Sequence, residues 1–196
     1  GKLPNWQRRR DGVGSRAMFD LLVKLNRLNR IHRRIDVVAF NGARDDARRA
    51  RFANQPLQGP HEAAQAENIR IAASRVRYDR VLILVGDLHA GKNPVVWEGR
   101  SFLPMAMQLA PASEVTSLQM RYVAGATAWQ CRRPPNGPDG RQPSCAAYNL
   151  SNVASEFGPV RIVLRDGRSP ENIAPEYDGY WHVGPASASP PKEDDL

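Results

Sequence analysis

The chain has 196 residues and a formal net charge of +8, from 28 Lys and Arg against 20 Asp and Glu. That length supports one domain with a real core. The longest apolar run, Val81–Val85, is far short of the roughly 18 residues of a membrane helix, so no transmembrane span is expected. The basic balance invites a nucleic-acid partner. However, 24 of the 28 basic residues are Arg, scattered along the whole chain, with no RNA-reading aromatic signature and no zinc-finger spacing. No nucleic-acid partner is expected.

Residues 1–14 are polar and basic and read as a loop. Ser15 suits an N-cap. After it, Met18, Leu21, Leu22, Leu25, Leu28 and Ile31 recur at helical spacing, which predicts a helix over Arg16–Ile31. The β-branched run Ile35–Phe40 predicts a buried strand. A polar connection, Asn41–Gly59, follows, and residues 44–51 could form a turn or two of helix inside it. Pro60 suits a first helical turn. Glu62, Ala66, Ile69, Ala73 and Val76 then fall four and three apart, one face of a helix over residues 60–76. The unbroken apolar run Val81–Val85 predicts a strand covered on both faces.

Further on, Pro104 opens a third helical stretch through Met105, Ala106, Met107 and Leu109. Val115–Val123 and Val160–Leu164 read as strands. Residues 125–158 are rich in Gly, Pro, Asn and Ser and hold both cysteines, Cys131 and Cys145. Their closeness in a loop-rich stretch suits a local disulfide and an oxidising compartment; two unrelated thiols are the alternative. The chain begins Gly1-Lys2-Leu3-Pro4, without Met, as expected of a processed protein or a fragment. The tail 186–196, with Pro190-Pro191 and an acidic end, is expected to be disordered. The expected fold class is α/β, a mainly parallel sheet with flanking helices and a Pro/Gly-rich C-terminal β/loop region. It would form one domain over residues 1–185, incomplete at its amino end.

Strand, helix 60–76 and strand make a crossover of the kind that joins parallel strands. Ligands of such sheets bind beyond the carboxyl ends of the strands. Gly86-Asp87-Leu88-His89 follows one strand end, and Asn41, Arg44 and Asp45 follow the other. The amino ends of both helices, with His61 and Glu62 in one case and Arg8, Arg9, Arg10 and Asp11 in the other, belong to the same rim. Glu62 continues the apolar stripe of its helix and should point inward. An inward carboxylate needs a cation, a metal or a shared proton; a plain first-turn Glu favoured by the helix dipole is the alternative. His89 can serve as general base or metal ligand, with Asp87 as a second ligand or an orienting group. A polar loop with one exposed His is the bland alternative, since one His and scattered acids make no complete zinc motif. His32 reads as a solvated surface residue and His182 as part of a late strand. Trp129 should pack over the disulfide.

Gly86-Asp87-Leu88-His89 after an apolar strand resembles the second Gly-x-x-His motif of the Tiki / erythromycin-esterase / ChaN superfamily. His61-Glu62-Ala63-Ala64-Gln65-Ala66-Glu67-Asn68-Ile69 is similar to that family's Arg-Asp/Glu-x-x-Met-Ala-x-x-Ile helix start. Asp11–Met18, Val37–Phe40, Ala128–Cys131 and Tyr177–Tyr180 look like further stretches of its bacterial members. Together the matches span roughly residues 6–190. His61 stands where the family has Arg, Gln65 where it has Met, and Asn41 where an acid is expected. The family's first Gly-Glu-x-His motif has no counterpart here, which implies half a site upstream of Gly1.

The resemblance implies one of three activities: lactone hydrolysis, metal-dependent peptide cleavage or haem binding. The leading expectation is an extracytoplasmic, periplasmic or envelope domain binding a divalent metal, haem or another small anionic ligand. Its site would hold His89 and Glu62 as catalytic residues and His89 and Asp87 as metal ligands. Gly86, His61, Lys92, Arg44 and Arg10 would line the ligand. The Arg residues and Lys92 suit propionate or phosphate. Trp97, Phe102, Met105 and Met107 would give an apolar wall or ordinary core. A metal- or His-dependent hydrolase and a structural domain with a degraded site are the alternatives.

Overall fold

The structure, a computed structural model, describes residues 14–31, 35–43, 45–132, 144–151, 159–165 and 173–191. The chain divides into two compact units, and each is described by itself. One comprises Gly1–Asp36, Arg121–Val160 and His182–Leu196; the other comprises Val37–Met120 and Arg161–Trp181.

In the first unit, α1 spans Arg16–Ile31. The Ser15 hydroxyl accepts the Met18 N–H, and its carbonyl accepts that of Phe19. The helix buries no residue fully, and Leu28 and Ile31 are exposed. Strands β4 (Thr127–Arg132) and β5 (Ser144–Asn149) form an antiparallel ribbon in which Cys131 stands opposite Cys145. The two cysteines are joined by a disulfide. Residues 186–191 are held by backbone: Pro190 O accepts from Arg16, and Ala186 O from Thr127.

The second unit carries the candidate site. Helix α2 (Asp46–Phe52) is capped by Asp45, whose carboxylate accepts the Arg48 N–H at 2.8 Å. Helix α3 (Gly59–Ala73) has Pro60 in its first turn. Its buried face is mixed: Ala63, Ala64, Ala66 and Ile69 together with Glu62, Gln65 and Asn68. Of the polar members, Asn68 is spent on fixing chain. The Asn68 amide donates to the carbonyls of Phe40 and Gly42, and its oxygen accepts from Arg48. The single turn α4 (Asp87–Ala90) is followed by the hairpin β1 (Val95–Trp97)–β2 (Arg100–Phe102). Glu98 and Gly99 turn that hairpin with φ of 51° and 73°, the left-handed pair of a two-residue type I′ loop. A short 3₁₀ turn, Met105–Gln108, fills the place of the expected third helix.

Strands β3 (Leu118–Arg121), β6 (Arg161–Leu164) and β7 (Gly179–His182) form a sheet in the order β3-β7-β6. The sheet is mixed. Its middle strand starts at Gly179, where any Cβ would stand 2.1 Å from Val163 O, so only glycine lets the strands approach.

The expected mainly parallel α/β sheet is not the fold. The sheets are small, antiparallel or mixed. Neither Ile35–Phe40 nor Val81–Val85 belongs to a strand ladder; both lie outside regular secondary structure. The run Val81–Val85 has cover on one side. Ile83, Val85, Phe40 and Leu109 pack against Ala66, Ile69 and Met105, whereas Leu82 is 93% and Val81 53% exposed. Continuous apolarity signals affinity for a core, and here the core takes alternate residues only.

Candidate functional site

Glu62 lies one turn into α3 on the face that also presents Ala66 and Ile69, and its side chain is 0% exposed. Burying a carboxylate costs several kcal/mol unless its oxygens are paired, by the order of magnitude usual for ions. Two donors meet that demand, one of them shared between both oxygens. The His89 Nδ1 lies 2.8 Å from Oε1 and 2.9 Å from Oε2, and the Met105 N–H donates to Oε2 at 2.9 Å. An ionised carboxylate only accepts, so His89 donates from Nδ1. In the neutral ring the lone pair then sits on Nε2, the nitrogen away from the carboxylate.

His89 reaches this position through short-range chain geometry. Gly86 is the extended N-cap of α4, and His89 and Ala90 donate their N–H groups back to its carbonyl. The next constraint comes from Tyr177, whose hydroxyl donates to the Asp87 carbonyl at 3.1 Å. Burial, then the Asp87 and Glu176 charges, push that phenol up from 10.0 to about 12. Tyr177 packs with Ile173 and Tyr180 in a second core cluster that Ala90 joins. The His89 side chain keeps 25% exposure, so the pair is closed behind and open in front.

His61 stands beside the pair. Its ring centroid is 5.9 Å from that of His89, with the planes 52° apart. Gln65, one turn on and buried, lies with Nε2 2.6 Å from His61 Nε2 and 3.2 Å from Asn41 Oδ1. Glu62, His89, His61, Gln65 and Asn41 are thus linked by contacts in one place.

Other expected site residues are placed elsewhere or used otherwise. Lys92 Nζ donates to both oxygens of Asp178, each at 2.8 Å, and to the carbonyls of Ala112 and Val115, each at 3.0 Å. The same carboxylate accepts the Ser117 N–H. This ammonium holds three segments together and has no donor left over for a ligand. Met105 and Phe102 are core, as the bland alternative for them had it; Trp97 is exposed. Arg8, Arg9, Arg10, Asp11, His32 and Arg44 lie outside the described residues. Among the described residues, no three His, Cys, Asp or Glu side chains are grouped to hold a metal ion.

The sequence placed Asn41 on the rim after an expected strand end, but marked Gln65 only as a departure from a pattern. A signal was available, since a Gln four residues after a His on a helix stands directly above it. Met105 was not legible as a partner of Glu62, because its contribution is backbone.

No family model matches this chain, and no curated protein or solved structure matches it either.

Proposed function

We propose that this chain carries a histidine-dependent hydrolytic site, with His89 as general base and Glu62 as the buried carboxylate that orients it. The observation behind the reading is the pairing itself. A fully buried Glu62 grips Nδ1 and leaves Nε2 out of the pairing, on a side chain that keeps 25% exposure. In this arrangement the carboxylate fixes ring orientation and tautomer and offsets the imidazolium that forms. His89 Nε2 accepts a proton from water as the oxygen attacks a carbonyl carbon; the imidazolium returns it to the departing alkoxide. The resemblance to the Tiki / erythromycin-esterase / ChaN superfamily, resting on motif order, supports a small ester or lactone as substrate.

That resemblance also implies a metal or haem. The described residues supply one oriented donor, His89 Nε2, and no grouped set of three ligands. They do not fit a protein-held metal centre, and no step here runs through one. The Cys131–Cys145 disulfide supports an oxidising compartment, for which we propose the bacterial periplasm or envelope. No helix among the described residues is long and apolar enough to cross a membrane.

The test is turnover of a panel of esters and lactones by the full-length protein and its His89→Ala variant. The proposal expects measurable hydrolysis that falls by about 10²-fold or more in the variant, the usual worth of a general base. Undiminished turnover in His89→Ala, or none on any member of the panel, would overturn it.

A further inference from the structure

His61 and His89 are anchored by opposite nitrogens. His89 is held through Nδ1, by a group that only accepts. His61 is held through Nε2, by the Gln65 amide. The direction of that second bond follows from the neighbours of Gln65. Its Nε2 lies 3.2 Å from Asn41 Oδ1, which accepts. Among the described residues its Oε1 is buried without a partner. Turning the amide over would bury an NH₂ with two unmet protons in place of one unmet carbonyl oxygen, and orphaned donors are the rarer and costlier case. The amide therefore donates to both Asn41 Oδ1 and His61 Nε2.

From this network the geometry points to a complementary pair of imidazoles: His89 offers a proton acceptor to the attacking water and His61 a fixed proton donor to the carbonyl group it attacks. Because Nε2 of His61 accepts, its proton resides on Nδ1. Both neutral rings thus carry their proton on Nδ1, yet the free nitrogens differ in kind: an acceptor on His89, a donor on His61. The ring centroids are 5.9 Å apart with the planes 52° from each other, so the two imidazoles are near neighbours. Asn41 and Gln65 are positioning residues that set the tautomer of His61.

The inference rests on the hydrolytic reading and adds the electrophilic half of it. Water gives its proton to His89 Nε2 and its oxygen to the carbonyl carbon. The carbonyl π pair moves onto oxygen, where the His61 Nδ1–H meets the developing negative charge. When the tetrahedral intermediate collapses, the alkoxide leaves with the proton held by His89. The substrate class is a neutral carbonyl ester or lactone, whose oxygen needs a donor only in the transition state.

Long-range ¹H–¹⁵N correlation of ring nitrogens, on ¹⁵N-His-labelled full-length protein at about pH 9, above the ordinary histidine range, reads the tautomers directly. His61→Gln, at an exposed position, assigns the His61 signals. Both His61 and His89 should be protonated on Nδ1. In Gln65→Glu the acceptor-only side chain should move the His61 proton to Nε2 and leave His89 unchanged. Native His61 protonated on Nε2, or a His61 signal indifferent to Gln65→Glu, would overturn the inference while leaving the Glu62–His89 pair intact. Native His89 protonated on Nε2 would instead overturn the hydrolytic reading. The native spectrum decides the main point even if the Gln65 variant fails to fold.

Discussion

Two side-chain pairs in the same unit, Glu62–His89 and Lys92–Asp178, look alike as distances and differ in what they leave over. Lys92 spends its ammonium protons on Asp178 and two carbonyls, and Asp178 also accepts from Ser117. Glu62 likewise spends its carboxylate on protein donors, but its partner is a ring with two nitrogens, of which the carboxylate uses one. The first pair is closed and can only hold the chain together. The second is closed on the buried side and chemically unfinished on the other. Capacity for chemistry lies in the unspent donor or acceptor at the open side, and the charge alone does not supply it.

The contrast breaks most visibly at Glu62. Glu62→Ala removes the acceptor of His89 and leaves the Met105 N–H buried and unpaired, with a cavity besides. It should cost about 3 kcal/mol or more, as deletions of buried ionic partners do, read as a fall in the urea midpoint. A loss under about 1 kcal/mol would show that the carboxylate is not integral to the fold. Lys92→Met should cost less, about 2 kcal/mol, because the Asp178 it abandons is partly hydrated and its side chain is 38% exposed. Ester turnover should be unchanged in that variant, and a change would return Lys92 to the site.

Tyr177 gives the smaller effects. Tyr177→Phe loses one neutral hydrogen bond to Asp87 O and should cost about 1 kcal/mol. Its phenol titrates at about 12 against 10.0 for a free tyrosine. The folded chain therefore holds this proton more tightly than the unfolded chain. The stability due to it is fully present below pH 10.0 and drains away as pH rises towards about 12. Phenolate absorbance during alkaline titration should contain a late-ionising component that Tyr177→Phe removes. A native titration with no late tyrosine would remove the anchor from α4.

How much of this was legible in the sequence depends on the range of the interaction. The limits of α1 follow from apolar spacing and match Arg16–Ile31, and α3 begins near Pro60 as its position implies. The inward direction of Glu62 followed from its place on the stripe with Ala66 and Ile69, and both are core. The convergence of Glu62 and His89 was argued from a parallel sheet that is not there. The two meet because Ile83 and Val85, just before Gly86, pack on the same helix face. A run such as Val81–Val85 records that some residues are buried, and is silent on whether a ladder forms or one side stays open. The Lys92–Asp178 pair spans 86 residues and left no local signal. Lys92 therefore read as a ligand contact when its role is structural. The disulfide, between cysteines 14 apart in one loop-rich stretch, was legible because its range is short.

The central claim is that Glu62 acts by fixing His89, and Glu62→Gln tests it most directly. The substitution keeps the size and the hydrogen-bonding reach of the side chain but removes the acceptor-only charge, so Nδ1 is no longer compelled to donate. The account predicts that kcat/KM for the best ester of the panel falls by about 10²-fold or more, the scale of a misoriented or wrongly protonated base, while the protein stays folded. An unchanged kcat/KM in folded Glu62→Gln would contradict it.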